Sequence, residues 1–299
     1  MIVAAGPDRP ALDHGDGTRM ILVTGATGNV GRQVVGQLVA AGVGVRALVR
    51  RPEEAALPGE VEVVGGDLGA PETLAPALLG AETVFLVWPF PSAEGASGVL
   101  DTIAAHARRV VYLSSSRVRD DLDRQPDPIS GLHAELEAAI AKSGVEWTIL
   151  RAETIASNAL GWAAQIRDTG VVRGPDLAAK PVVHERDIAA AAVRVLTEHG
   201  SHAAATYVLT GPEVLGRADQ VRLIGAAIGR SLRFEPVPIA AARARMLADG
   251  RPPALVDALL AGADGPPQPA PITTAVYDLT GTPARSFADW AADHAADFG

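Results

Sequence analysis

Cysteine is absent from the 299-residue chain. That excludes disulfides, thiolate catalysis and cysteine-held metal, and it fits a cytoplasmic protein. Positive charge is scarce: 26 Lys and Arg stand against 35 Asp and Glu, a formal net charge of −9. The chain therefore carries no electrostatic footprint for nucleic acid. No apolar run reaches bilayer-spanning length, and there is no amphipathic membrane segment or lipidation motif. Residues 1–19 lack the basic start and long apolar core of a secretory signal. They read as a disordered N-terminal extension, with Met20 at the start of the first strand. No group of His, Asp and Glu has metal-ligand spacing, so no metal is expected. Neither a nucleic-acid nor a membrane partner nor a larger assembly is indicated; a small-molecule substrate and a monomer or homodimer are the expectation.

Hydrophobic residues make up 48% and charged residues 20% of the chain, a globular balance. The most informative stretch is Met20-Ile-Leu-Val-Thr-Gly-Ala-Thr-Gly-Asn-Val-Gly31. Residues 20–23 are continuously apolar, as in a strand buried on both faces. Val30, Val34, Val35 and Leu38 then recur at helical spacing. Gly25, Gly28 and Gly31 lie between the two. With 31 glycines in the chain, a triplet alone decides little; the strand before it and the helix after it decide. Such a turn lets backbone N–H groups and a helix N-terminus approach a pyrophosphate, where a Cβ would block the way. The chain is expected to hold a dinucleotide through Gly25, Thr27, Gly28, Asn29, Val30 and Gly31.

Further strand-like runs occur at 43–49, 61–64, 84–87, 110–113 and 147–150, with helices suggested at 29–41, 71–79, 95–107 and 132–142. This alternation predicts an α/β protein with a Rossmann-like, doubly wound parallel sheet. Residues 20–151 are read as its nucleotide-binding domain. Residues 152–299 are read as a small substrate-binding lobe interleaved with the sheet. In that half, helices are expected at 155–167, 187–197, 214–228, 240–247, 253–260 and 283–294, a short strand at 207–209, an extended run at 231–237 and a loop at 262–269.

An NAD site of this class places an acid about 20 residues past the glycines, on the ribose 2′-hydroxyl. Here the second strand ends in Arg50 and Arg51. Two guanidiniums there favour NADP(H), whose 2′-phosphate they would neutralise. The plainer reading is a pair of solvated surface arginines. Arg32 is a further candidate for the same phosphate. Val87 and Trp88 follow the fourth strand at the ligand edge of the sheet. Trp88 would either wall the nicotinamide or serve as a packing residue.

Thr24-Gly-Ala-Thr-Gly-Asn-Val-Gly31 resembles the short-chain dehydrogenase/reductase superfamily, and its atypical, NmrA-like branch in particular. Ser143-Gly-Val-Glu-Trp-Thr-Ile-Leu-Arg151 is similar to a run in NmrA-like and isoflavone-reductase-like proteins. Asp187-Ile-Ala-Ala-Ala-Ala-Val-Arg-Val-Leu196, Tyr207-Val-Leu-Thr-Gly-Pro-Glu213 and Leu279-Thr-Gly-Thr-Pro-Ala-Arg-Ser-Phe287 extend the likeness to the C-terminus. The resemblance implies that Asp67 and Leu68, after the third strand, contact the adenine; the alternative is an ordinary loop Asp. It also implies a serine near the nicotinamide that orients a carbonyl, here Ser114 or Ser115 in the run ending at Ser116.

The resemblance further implies a Tyr-x-x-x-Lys pair on the next helix, tyrosine as general acid and lysine lowering its pKa. Ile129 and His133 stand at those positions, and none of Tyr112, Tyr207 and Tyr277 is expected near that helix, so the dyad is absent. His133 falls where isoflavone-type reductases carry their lysine. It reads either as the proton donor or as a helix histidine bonded to Glu137 one turn on. Arg151, Asn158 and His184 are weaker site candidates, with Glu185 or Asp187 expected to cap the helix that follows His184. The function implied is hydride transfer from NADP(H) to a carbonyl, quinone or conjugated ring. The alternatives are a non-catalytic NADP redox sensor and a non-redox tailoring enzyme acting through His133.

Overall fold

The computed structural model of the protein describes residues 20–198, 200–260 and 271–299. The extension expected at 1–19 and most of the loop expected at 262–269 lie outside the described residues. The first half alternates except between β2 and β3, which only a 3-10 turn separates: β1 (Met20–Val23), α1 (Asn29–Ala40), β2 (Gly44–Val49), β3 (Glu62–Gly65), α2 (Ala75–Leu78), β4 (Ala81–Leu86), α3 (Ala96–His106), β5 (Arg109–Ser115), α4 (Pro128–Lys142) and β6 (Glu146–Ala152). The second half follows as β7 (Thr154–Ile155), α5 (Ala163–Thr169), β8 (Val171–Gly174), β9 (Lys180–Val183), α6 (Glu185–Thr197), β10 (Ala205–Leu209), β11 (Val214–Leu215), α7 (Arg217–Ala227) and β12 (Arg233–Pro236). The chain closes with α8 (Ile239–Ala248), α9 (Pro253–Leu260), α10 (Ala275–Thr280), α11 (Phe287–Asp293) and α12 (Ala295–Phe298).

Seven strands form one parallel sheet in the order β3-β2-β1-β4-β5-β6-β10. Successive strand residues point to opposite faces. Val23, Ala47, Phe85, Val111 and Leu150 therefore pack under α1, α6 and α10. Leu22, Val84, Leu86, Val110 and Ile149 pack under α2, α3 and α4. Both faces are covered, which is why the strands are near-continuously apolar. Strand order reverses between β1 and β4, and the crevice outside the carboxyl ends at that switch point is where open α/β sheets hold ligands.

Residues after β6 return to the same sheet. β10 pairs with β6, and the alanine-rich α6 lies along α1, its small side chains allowing close approach. A third core, around Ile166, Val172, Val182, Val221, Phe287 and Trp290, joins α5, α7, α11, β9 and the pair β8–β12, and β9 pairs in turn with β7. The α8–α9 hairpin has its own small core around Ala242 and Val256.

Several expected elements differ. The helix expected at 155–167 is a strand end, a 3-10 segment over Ala156–Trp162, and then α5. Ser157, Asn158 and Gly161 are poor α-helix formers, and Gly170 at φ +67° ends α5. The helix expected at 214–228 begins only at Arg217, because Val214 and Leu215 pair with β9. The helix expected at 283–294 starts at Phe287, capped by Ser286, whose Oγ accepts from the Asp289 N–H at 3.1 Å. The helix expected at 71–79 is a 3-10 turn and a single α turn. α4 starts earlier than expected, at Pro128, because Asp127 caps it and proline is favoured at the first helical position. Strands β8 and β9 and helix α10 carry patterns too short to read from the sequence.

Candidate functional site

The turn after β1 is built from contacts that only glycine permits. Gly25 has φ +60°, and a Cβ there would sit 3.0 Å from Val87 Cβ. A Cβ on Gly31 would sit 2.1 Å from the Gly25 carbonyl oxygen, an impossible distance. Gly28 caps α1 and donates its N–H to Gly25 O at 2.9 Å. Thr24 Oγ1 accepts from Val87 N–H at 2.7 Å and donates to Val87 O at 3.1 Å, tying the tips of β1 and β4 together. Gly25, Thr27, Gly28 and Asn29 are exposed, while Val30 and Gly31 are buried beneath them. The first turn of α1 has no acidic residue. An open cradle of amides at a helix N-terminus fits a pyrophosphate.

Arg50 and Arg51 are exposed at the tip of β2. Arg51 pairs with Glu54 at 2.7 Å, and Arg50 has no ion pair among the described residues. Arg32 is turned back onto the cradle, donating to Thr27 O at 2.8 Å. Asp67 closes the tip of β3 by accepting from Gly69 N–H at 2.8 Å, and Leu68 is buried. Trp88 is buried edge-on against Phe90 with centroids 5.1 Å apart, its indole N–H on Ser92 O at 2.8 Å.

The tips of β5 and β6 carry a second cluster. Ser114 lies opposite Arg151 in register. Ser114 is buried and donates its only hydroxyl hydrogen to Glu137 Oε1 at 2.5 Å. It is not free to polarise a substrate, contrary to expectation. Arg151 forks onto Glu137 at 2.6 and 3.0 Å and onto Asp120 at 2.6 and 2.7 Å. Hydrogen bonds donated to both carboxylates, against the opposing effect of burial, keep its guanidinium charged. This double fork clasps the loop after β5 to β6. Ser115 Oγ accepts from Arg117 N–H at 3.2 Å.

Two expectations about His133 are corrected here. Glu137 is committed to Arg151 and Ser114, so His133 does not bond to it. Instead His133 Nδ1 meets the Tyr112 hydroxyl at 2.7 Å. A tyrosine does reach this helix, from the strand beneath it. Burial lowers the His133 pKa below its ordinary 6.5, with Glu137 and Asp127 opposing that shift. Burial and the negative charge of Glu137 drive the Tyr112 phenol far above its ordinary range.

Asn158 is exposed on the 3-10 segment. His184, rather than Glu185 or Asp187, caps α6: its Nδ1 accepts from Arg186 N–H at 3.2 Å. Glu185 is buried against Trp290 and His294, and Asp187 holds Arg285. Among the described residues no group of His, Asp and Glu is arranged to hold a metal, and no helix is long and apolar enough to cross a membrane.

The sequence matches the NAD(P)H-binding family over residues 25–199. The chain belongs to that family. It is 41% identical to a (4-alkanoyl-5-oxo-2,5-dihydrofuran-3-yl)methyl phosphate reductase of Streptomyces griseus, over 93% of this chain and 99% of that protein. It is 35% identical to an NAD(P)H azoreductase of Xenophilus azovorans, over 94% and 99%. Its fold matches an NADPH-dependent quinone oxidoreductase of Escherichia coli solved with NADPH, at TM-score 0.76 and 26% identity, covering 92% of this chain and 99% of that one. The chain is thus an NAD(P)H-dependent reductase of the NmrA-like type.

In this NAD(P)H-binding family member, one further residue stands out. Ser116 Oγ is buried without a hydrogen-bond partner among the described residues, while its N–H donates to Ala152 O at 3.0 Å. A buried hydroxyl without a partner is costly unless a ligand completes it. Sequence reading placed Ser116 at the strand end without choosing it. The signal was the serine triplet; what distinguishes the third is that its neighbours are already engaged.

Proposed function

We propose that the protein uses NADPH in preference to NADH to reduce a small ring whose C=C bond is conjugated to a carbonyl. The single observation that carries this reading is the position of the unpartnered Ser116 Oγ relative to the open glycine cradle. One strand, β4, separates β1 from β5, so the two features lie about 10 Å apart across the sheet edge. The dihydrofuranone that names the Streptomyces griseus relative and the quinone that names the Escherichia coli structure both contain a conjugated carbonyl.

Bound NADPH supplies a hydride; the chain supplies its placement. Amides of the turn from Gly25 to Gly31, with Thr27, Asn29 and Val30, hold the pyrophosphate. Arg50 takes the 2′-phosphate, and Arg51, released from Glu54, joins it. Asp67, Leu68, Val87 and Trp88 line the path from adenine to nicotinamide. Ser116 Oγ, with Ser115 beside it, donates to the substrate carbonyl oxygen as negative charge builds there. His133 lies on α4, one turn before Glu137, which holds the neighbouring Ser114. Residues 152–299 serve as the substrate lobe.

The test is steady-state NADPH oxidation with a butenolide, a quinone and a simple ketone. Turnover with the first two and not the third is expected. Ser116→Ala is expected to lower kcat roughly a hundredfold. Arg50→Glu is expected to raise KM for NADPH by about tenfold or more and leave NADH unchanged. Reduction of the ketone alone, or equal losses for both nucleotides, would contradict the reading.

A further inference from the structure

Tyr112 is wholly buried, and its hydroxyl meets one partner among the described residues, His133 Nδ1 at 2.7 Å. The two rings lie 5.9 Å apart, tilted by 39°. A phenol has one hydrogen to donate. Burial and the Glu137 carboxylate keep that hydrogen on the oxygen. Were Nδ1 the donor instead, the phenol hydrogen would be left in the core without an acceptor, an arrangement that folded proteins avoid. Tyr112 therefore donates and Nδ1 accepts. Burial also favours the uncharged imidazole, so the single ring proton sits on Nε2. That nitrogen has no partner among the described residues, and His133 is only half-buried.

We infer that Tyr112 is a positioning residue that locks His133 in its Nε2–H tautomer, making His133 a neutral hydrogen-bond donor to the substrate oxygen. The inference rests on the site proposed above and assigns the histidine's role within it. The missing helix tyrosine is replaced by a strand tyrosine that acts through histidine. The chemistry then balances without an acid on the enzyme. Hydride forms the new C–H bond at the β-carbon, and the displaced π pair moves to the carbonyl oxygen. Nε2–H stabilises that oxygen without giving up its proton, since doing so would leave an imidazolate. Water protonates the α-carbon and leaves as hydroxide.

The experiment is a long-range proton–nitrogen correlation spectrum of the full, ¹⁵N-labelled chain at neutral pH, for wild type and Tyr112→Phe. The wild type is expected to show His133 protonated on Nε2 alone. Tyr112→Phe is expected to give mixed tautomers and a kcat about tenfold lower, the worth of one hydrogen bond, with KM for NADPH unchanged. A wild-type proton on Nδ1 would overturn the inference, whatever the variant does. So would an unaltered tautomer in Tyr112→Phe. Full turnover by His133→Ala would instead overturn the placement of substrate beside His133, and with it the catalytic half of the inference; the spectrum reports on Tyr112 independently.

Discussion

Gly31 has the least room of the three glycines in the turn after β1, because the Gly25 carbonyl occupies the place of its missing side chain. Gly31→Ala is expected to cost about 1–3 kcal/mol in denaturant unfolding through overpacking, and to weaken NADPH binding as the cradle opens. Wild-type stability with wild-type affinity would show that the turn needs no glycine there. His133 gives a pH-dependent counterpart. Its folded pKa lies below the ordinary 6.5, so the unfolded chain takes up a proton that the folded chain refuses. Its effect on stability is absent above that value and grows as a loss when pH falls below it. His133→Gln is expected to flatten the fall in urea midpoint between about pH 7 and 5; an unchanged slope would contradict the buried, neutral imidazole.

α4 depends on its cap and on the ion pair it shares with β6. Asp127 Oδ1 accepts from Ile129 N–H at 2.9 Å and Ser130 N–H at 3.1 Å, and Asp127→Ala is expected to cost about 1 kcal/mol. Glu137→Ala strands the buried Arg151, 8% exposed at its side chain, and is expected to cost about 3 kcal/mol or more by thermal or urea unfolding. A loss below that of the cap variant would show that Asp120 alone satisfies Arg151. The same helix shows what the sequence made legible. The apolar stripe through Leu136 and Ile140 is local, as are the glycine turn and the parallel alternation; Asp127-Pro128 is a local start signal too, but one that the expected helix, beginning at 132, passed over. The meeting of Tyr112 with His133 and the fork of Arg151 are not local. They arise from strand register and the docking of α4 on the sheet, which no spacing along the chain encodes. Short pieces such as β7, β8 and β11 failed for a related reason: two to four residues carry no period, and tertiary pairing alone makes them strands.

The whole molecule is closed by its C-terminal segment. Trp290 of α11 and His294, just past the end of that helix, both bond the buried Glu185 at the start of α6, at 3.1 and 2.8 Å. Burial alone would push the Glu185 carboxyl up, but His184, its own backbone and His294 hold it below its ordinary 4.5. It therefore contributes stability above that value, lost as pH falls through the lowered one. Glu185→Gln is expected to remove that part of the acid sensitivity while leaving NADPH binding intact; loss of binding would mean that the C-terminal dock reaches the cofactor. Everything proposed for this molecule requires that the turn after β1 and the tip of β2 hold NADP(H) at the sheet's switch point. A calorimetric titration of the full chain with NADPH and with NADH tests it most directly. One-site binding of NADPH, tighter than NADH by about tenfold or more, is the predicted result. No heat from either nucleotide would contradict it.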